Sequence, residues 1–204
     1  MPNPPPLAYG EVYHIYNRGN NGENLFHEKR NYPFFLQRYA DYVEPVAETY
    51  AYCLLRNHFH VLVRTRTPQE QEAYHQQRSE DASPFRLLSP SRQFARFFSA
   101  YALAINAATG RTGSLFEHPF HRKRVASETY CQRLVTYIDR NAQHHGFVDD
   151  FRDWPYASYR TLLSSSPTRL HRDLVLDWFG GPKAFAAAHE MDQDTAELQE
   201  YLLE

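Results

Sequence analysis

Hydrophobic and polar positions change period several times along the chain, and each change predicts an element. Between Glu11 and Gly19, Val12, His14 and Tyr16 alternate with Tyr13, Ile15 and Asn17, a strand that runs into a turn. From Asn31 to Glu44 the apolar positions Tyr32, Phe35, Leu36, Tyr39 and Val43 recur at helical spacing, with Pro33 early and Pro45 just beyond. "YAYCLLR" and "HFHVLVRT" return to strand character and break near Asn57, the pattern of a hairpin. Residues 67–90 are polar and read as a loop or a partly ordered insertion. A second helix is expected from about Ser91 to Thr109, with Phe94, Phe97, Phe98, Tyr101 and Ile105 on one stripe, closed by Gly110. "GSLFEHPFHRKRVA" reads as one strand, or two short ones around Pro119. A third helix starts after Ser127, a good N-cap, and runs to about Gly146.

The order strand, helix, strand, strand, helix, strand, helix is a split β-α-β pattern. It predicts an α+β fold, a ferredoxin-like antiparallel sheet with helices packed on it. "DWPYASY" and "VLDWFGGPKAFAAAHE" suggest a loop and short helices. The chain is therefore divided into a flexible lead (1–8), a main domain (9–150) and a small helical C-terminal extension with an acidic tail (151–204).

Composition fits a packed protein of 204 residues: 42% hydrophobic and 15% aromatic. No apolar run reaches the roughly 20 residues that span a bilayer, so no membrane role is expected. "MPNPPPLAYG" lacks a basic start and an apolar segment, unlike a signal peptide. Two cysteines, Cys53 and Cys131, make no disulfide framework. A reduced, cytoplasmic setting is the expectation.

The net charge of −2 argues at first against a polyanionic partner. From Glu190 onward, however, there are six acids and no Lys or Arg, and taking them away leaves a body of +4. The excess is local: Arg56, Arg64 and Arg66 on either side of "NHFHV", and "HRKRV" at His121–Val125. A confined polyanion site would have this distribution.

Within the strand after Asn57, His58 and His60 fall on one face with Leu62 and Arg64, while Phe59, Val61 and Val63 fall on the other. Two imidazoles side by side on a rigid strand are natural metal ligands, although a lone His-x-His pair is a weak signal. HExxH is absent, "HEMDQ" at His189 not matching it. On the third helix, Tyr137 and Asn141 are four residues apart and share a face, about 6 Å from each other. Should that helix pack near the histidines, one face offers an amide ligand and an attacking phenol. Asp139 adds an acid nearby. His14, His118 and His121 are read as standing outside the ligand set, and Phe94, Phe98 and Tyr101 as core.

The segments "YHIYNRGNN", "AYCLLRNHFHVLVR", "GSLFEHPF", "YIDRN" and "DWPYASY", in this order, resemble the single-tyrosine HUH transposases, in particular the REP-associated tyrosine transposases. HUH denotes the His-hydrophobe-His element, here His58-Phe59-His60. The resemblance implies a DNA strand transferase on a ferredoxin-like core, with metal ligands His58, His60 and Asn141 and the nucleophile Tyr137. It implies a divalent cofactor, Mg²⁺ or Mn²⁺, with two imidazoles and an amide suiting Mn²⁺ at least as well as Mg²⁺. A phenol ionises near pH 10, so a nearby cation would help form the phenolate. Attack on a backbone phosphate would leave a 5′-phosphotyrosine and a free 3′-OH, conserving bond energy for rejoining.

The implied partner is single-stranded DNA carrying hairpins, in the cytoplasm at the nucleoid, with a homodimer and a monomer both open. Arg18, Arg56, Arg122, Lys123 and Arg124 are the DNA-contact candidates, the last three as the densest basic patch. Four positions depart from the family pattern: Leu55 and Arg56 where Met-Pro is frequent, Ala142 where Pro often follows the Asn, and Asp139 where His is common. Two rival readings keep parts of this picture: a domesticated, catalytically silent hairpin-binding protein, and a hydrolase that uses activated water.

Overall fold

The computed structural model describes residues 4–78 and 84–191. Four strands, β1 (Val12–Arg18), β2 (Ala47–Leu54), β3 (His58–Thr65) and β4 (His121–Val125), form one antiparallel sheet in the order β2-β3-β1-β4. Helix α1 (Asn31–Val43) links β1 to β2 with β3 lying between them, and α3 (Pro90–Thr109) precedes β4. This is the split β-α-β arrangement expected of a ferredoxin-like α+β fold. Local chemistry sets the boundaries. Pro90 opens α3, and Gly110, at φ 68°, ends it in the left-handed conformation that costs glycine little. The Ser127 hydroxyl accepts from the Tyr130 N–H and caps α4 (Glu128–His144).

Both faces of the sheet are covered. Tyr13, Ile15, Phe59, Val61 and Val63 pack against α1 and α3 in one apolar cluster that includes Phe35, Phe94, Phe97 and Tyr101. The other parity packs against α4, where Leu62 and Cys53 meet Leu134, Val135 and Ile138. The C-terminal helices α5 (Tyr159–Leu163), α6 (Arg172–Phe179) and α7 (Pro182–Glu190) close this second side. Their residues Leu162, Val175 and Phe185 belong to the same cluster as Leu62, so the boundary drawn at residue 150 does not divide the core.

The structure differs from other expectations too. The stretch read as a loop contains a helix, α2 (Pro68–Arg78). Thr67 and Glu70 form a reciprocal capping box, the Thr67 N–H donating to Glu70 Oε2 (2.8 Å) and the Glu70 N–H to Thr67 Oγ1 (3.2 Å). Its anchor is polar: Gln71 is buried and bonds both backbone groups of Leu88. The lead segment is tied down where it is described, with Leu7 buried and its N–H donating to Ser91 Oγ at 2.7 Å. Of "GSLFEHPFHRKRV" only His121–Val125 is a strand; the irregular stretch before it buries Leu115, Phe116 and Phe120. The acidic tail beyond Met191 lies outside the described residues. No helix of the described residues is long and apolar enough to cross a membrane.

Candidate active site on the α4 face of the sheet

His58 and His60 open β3, where they stand opposite Arg18 and Tyr16 of β1. Alternation sends both rings to the α4 side, and they meet edge to face with centroids 5.4 Å apart. Gly19, directly after β1, keeps this end compact, because a Cβ there would lie 1.9 Å from the Glu23 carbonyl oxygen. Across the histidines runs α4. Asn141 Oδ1 lies 3.2 Å from His58 Nε2, and one turn earlier the Tyr137 ring stands perpendicular to that of His60, centroids 5.9 Å apart. The structure thus brings together the four residues singled out from the sequence.

The hydrogen bonds restrict what these groups can do. His58 Nδ1 is 2.9 Å from Asn57 Oδ1, and an amide oxygen only accepts, so Nδ1 carries the proton and donates. Nε2 then holds a lone pair, yet it faces a second amide oxygen, that of Asn141. Two acceptors converging on one point are a donor set for a cation. Asn141 Nδ2 is buried without a partner. Turning the amide over would let Nδ2 donate to the ring but would strand Oδ1 instead. Either way one group of this buried amide has no protein partner among the described residues.

Burial keeps the imidazoles in the form that binds metals. It draws His58 down to about 4, with His145 and Arg18 adding to the effect and the Asn141 contact opposing it. His60 is held well below its ordinary range, first by burial and then by His14, His58 and His145. Among the described residues no group of three or more His, Cys, Asp and Glu is placed to hold a metal. A cation site here depends on the Asn141 amide.

The histidines face a cleft of about 540 Å³, walled by Tyr16, Arg18, Glu117, His121, Tyr137 and His145. Tyr16 stacks between His60 (5.6 Å) and His121 (4.9 Å), and Arg18 pairs with Glu117 at 2.7 Å. A larger hollow of about 820 Å³ lies near α2 and the 168–174 segment. Three of its carboxylates are already held: Glu44 by Arg169 (3.0 Å), Glu48 by Arg66 (2.9 Å) and Glu70 by Arg64. The smaller cleft is where the chemically competent groups meet.

Two expectations need correction. Asp139 does not join the site. Two residues from Tyr137 on a helix is more than half a turn, and Asp139 points the other way. There, fully buried, it accepts from Ser158 Oγ (2.5 Å) and faces His189 Nε2 (3.1 Å) on α7. The basic triplet is also not one patch. The β1–β4 register sets Lys123 opposite His14 on the α4 side, but Arg122 and Arg124 opposite Ile15 and Tyr13 on the other. Arg122 lies over the Phe120 ring at 3.8 Å, and Arg124 grips Glu11 through two bonds of 2.7 and 2.8 Å. Arg56 is exposed in the β2–β3 turn beside Asn57, where its carbonyl holds the Leu25 and Phe26 N–H groups. His14, which the sequence places outside the ligand set, is fully buried on the same face with Nε2 2.9 Å from His60 Nδ1. The signal was its parity: His14 and Tyr16 alternate onto one face of β1.

No family model matches the chain. A Haemophilus influenzae protein described as a REP-associated tyrosine transposase is 25% identical over 142 residues, covering 66% of this chain and 68% of the relative. Among solved structures, that of a REP-associated tyrosine transposase bound to a REP hairpin superposes with a TM-score of 0.57. It is 15% identical, over 82% of this chain and 88% of the other. At that identity the likeness speaks for the fold.

Proposed function

We propose that this chain, which resembles the REP-associated tyrosine transposases, is a metal-dependent single-strand DNA endonuclease and strand transferase that uses Tyr137 as nucleophile. The observation that carries the reading is the crossing of α4 over β3. It sets Asn141 Oδ1 3.2 Å from His58 Nε2 and the Tyr137 ring 5.9 Å from that of His60. The Tyr137 ring and two neutral imidazoles line one cleft, and the buried Asn141 amide oxygen meets His58. His58, His60 and Asn141 would hold Mg²⁺ or Mn²⁺. When bound, the cation supplies positive charge against a non-bridging phosphate oxygen and favours the phenolate.

The Tyr137 oxygen attacks phosphorus in line with the departing 3′-oxygen. The P–O3′ bond breaks as the Tyr–O–P bond forms, and the leaving oxygen takes up a proton. One phosphodiester is exchanged for another, so a 3′-OH can reverse the step without an outside energy source. On this reading Arg18 and Lys123, both on the α4 side of β1 and β4, would meet the strand's phosphates, and Tyr16 and His121 would offer stacked rings at the rim. Single-stranded DNA with a hairpin beside the cleavage point is the substrate class we propose, by likeness to the hairpin-bound neighbour.

The test is an adduct assay with labelled hairpin-bearing single strands and Mn²⁺ or Mg²⁺. A denaturation-resistant protein–DNA species that disappears in Tyr137→Phe and His58→Ala is the expected result. Cleavage that persists in Tyr137→Phe would replace this mechanism with hydrolysis by water. Tight hairpin binding with neither adduct nor cleavage would leave a binding protein.

A further inference from the structure

Beneath the proposed cation ligands lies a third histidine that the reaction does not use directly. His14 sits on β1 two residues before Tyr16, and Tyr16 is directly opposite His60. The His14 ring is fully buried and stacks on that of His60 at 5.1 Å, with 22° between planes. Its Nε2 is 2.9 Å from His60 Nδ1, and its Nδ1 is buried with no partner. A packing role alone would be served by an apolar ring, with no buried nitrogen left stranded. Two ring nitrogens at this distance need one hydrogen between them, and there are two ways to place it.

In the first arrangement His14 Nε2–H donates to His60 Nδ1. His60 then carries its own hydrogen on Nε2, the nitrogen left for the cleft, and that nitrogen cannot bind a cation. In the second, His60 Nδ1–H donates to His14 Nε2. The lone pair of His60 Nε2 is free, and His14 holds its hydrogen on Nδ1, which the structure leaves without an acceptor. The two arrangements differ only in where protons sit within one buried pair. Binding at His60 selects the second.

We infer that His14 is a positioning residue that sets the balance between the two tautomers of His60, supplies the acceptor its cation-binding form needs, and so governs how tightly the cleft holds a divalent cation. This rests on the reading that His58, His60 and Asn141 are the cation's ligands. Partners that orient metal-binding imidazoles through their second nitrogen commonly change affinity by about 10- to 100-fold when removed. A second imidazole is an unusual choice for that task, because, unlike a carbonyl or carboxylate, it can also donate and so stabilise the non-binding form.

Two measurements test this without relying on cleavage. Mn²⁺ titration followed by electron paramagnetic resonance compares wild type, His58→Ala, His14→Phe and His14→Gln. Loss of about 10-fold or more in affinity in His14→Phe, with His14→Gln close to wild type, is expected, because the Gln carbonyl still accepts from His60 Nδ1. Imidazole ¹⁵N shifts of the wild-type protein, with and without Mg²⁺, locate the shared hydrogen directly. Mg²⁺ should place it on His60 Nδ1. Unchanged affinity in folded His14→Phe, or a hydrogen that stays on His14 Nε2 in the Mg²⁺-bound protein, overturns the role of His14 alone. Absence of Mn²⁺ binding in wild type, or binding that His58→Ala leaves intact, overturns the cation site itself and the inference with it.

Discussion

On the α1/α3 face the sheet meets a layer of rings. Phe35 meets Phe97 and Tyr101 edge to face at 4.8 and 5.0 Å, and Phe94, Phe98 and Phe120 extend the layer. On the α4 face of the same strands, apolar packing is interrupted by His14, His60, Asp139 and Asn141, all buried and each aimed at a particular atom. The first face depends on volume and shape, which many apolar combinations can satisfy. The second depends on donors and acceptors at about 3 Å, where a single wrong group is costly. A ferredoxin-like unit is stabilised from one side, which leaves the other free to become a chemical surface once a further helix covers it.

The sharpest break in this comparison comes from removing a ring on the apolar side. Phe97→Ala should cost about 3–5 kcal/mol in denaturant unfolding, and DNA cleavage should vanish only as the protein unfolds. Cleavage lost while the protein remains folded would mean the two faces are not separable in this way. Asp139→Ala follows, at about 3 kcal/mol, because it strands the Ser158 hydroxyl and His189 inside the second face.

Acid should weaken the α4 face next. The folded-state pKa of His14 is depressed by burial and by Lys123, from 6.5 to about 3. The unfolded chain therefore binds the proton first, and the stability present above pH 6.5 is lost as pH falls towards 3. From pH 7.5 to 5 the loss from His14 alone is about 2 kcal/mol, and urea titrations of wild type and His14→Gln should show the variant's curve flatter. Smallest in stability is Tyr137→Phe. Its unfolding free energy should stay within about 1 kcal/mol of wild type while adduct formation drops to background, separating chemistry from packing on one side chain.

How far the sequence revealed this depended on which kind of face was being read. Period-two and helical patterns located β1, β3, α1, α3 and α4, since an apolar stripe has a phase that any solvent-facing element must respect. The pairs His58/His60 and Tyr137/Asn141 were legible for the same reason: period fixes which side chains share a side. Helix α2 escaped because it has almost no stripe; its Thr67/Glu70 capping box was present but lay in a polar stretch. Asp139 and the "HRKRV" triplet were misplaced by counting neighbours along the chain instead of following the helical and strand phases, which separate them. The bond between His14 and His60 needed the β1–β3 register, a long-range fact that no local window contains.

The anchoring of α4 bears on how many chains the proposed cleavage would require. The helix is capped at Ser127 and bolted on its far side through Asp139 to Ser158 and to α7. Its Tyr137 reaches the histidine pair of its own polypeptide, and swinging it across to a neighbour would mean withdrawing a buried carboxylate from two partners. On the proposed function, each molecule would then use its own Tyr137 with its own histidine pair. Mixing His58→Ala protein with Tyr137→Phe protein should restore no adduct at any ratio, whereas an enzyme that exchanged its tyrosine between copies would recover up to about a quarter of its sites by random pairing into dimers.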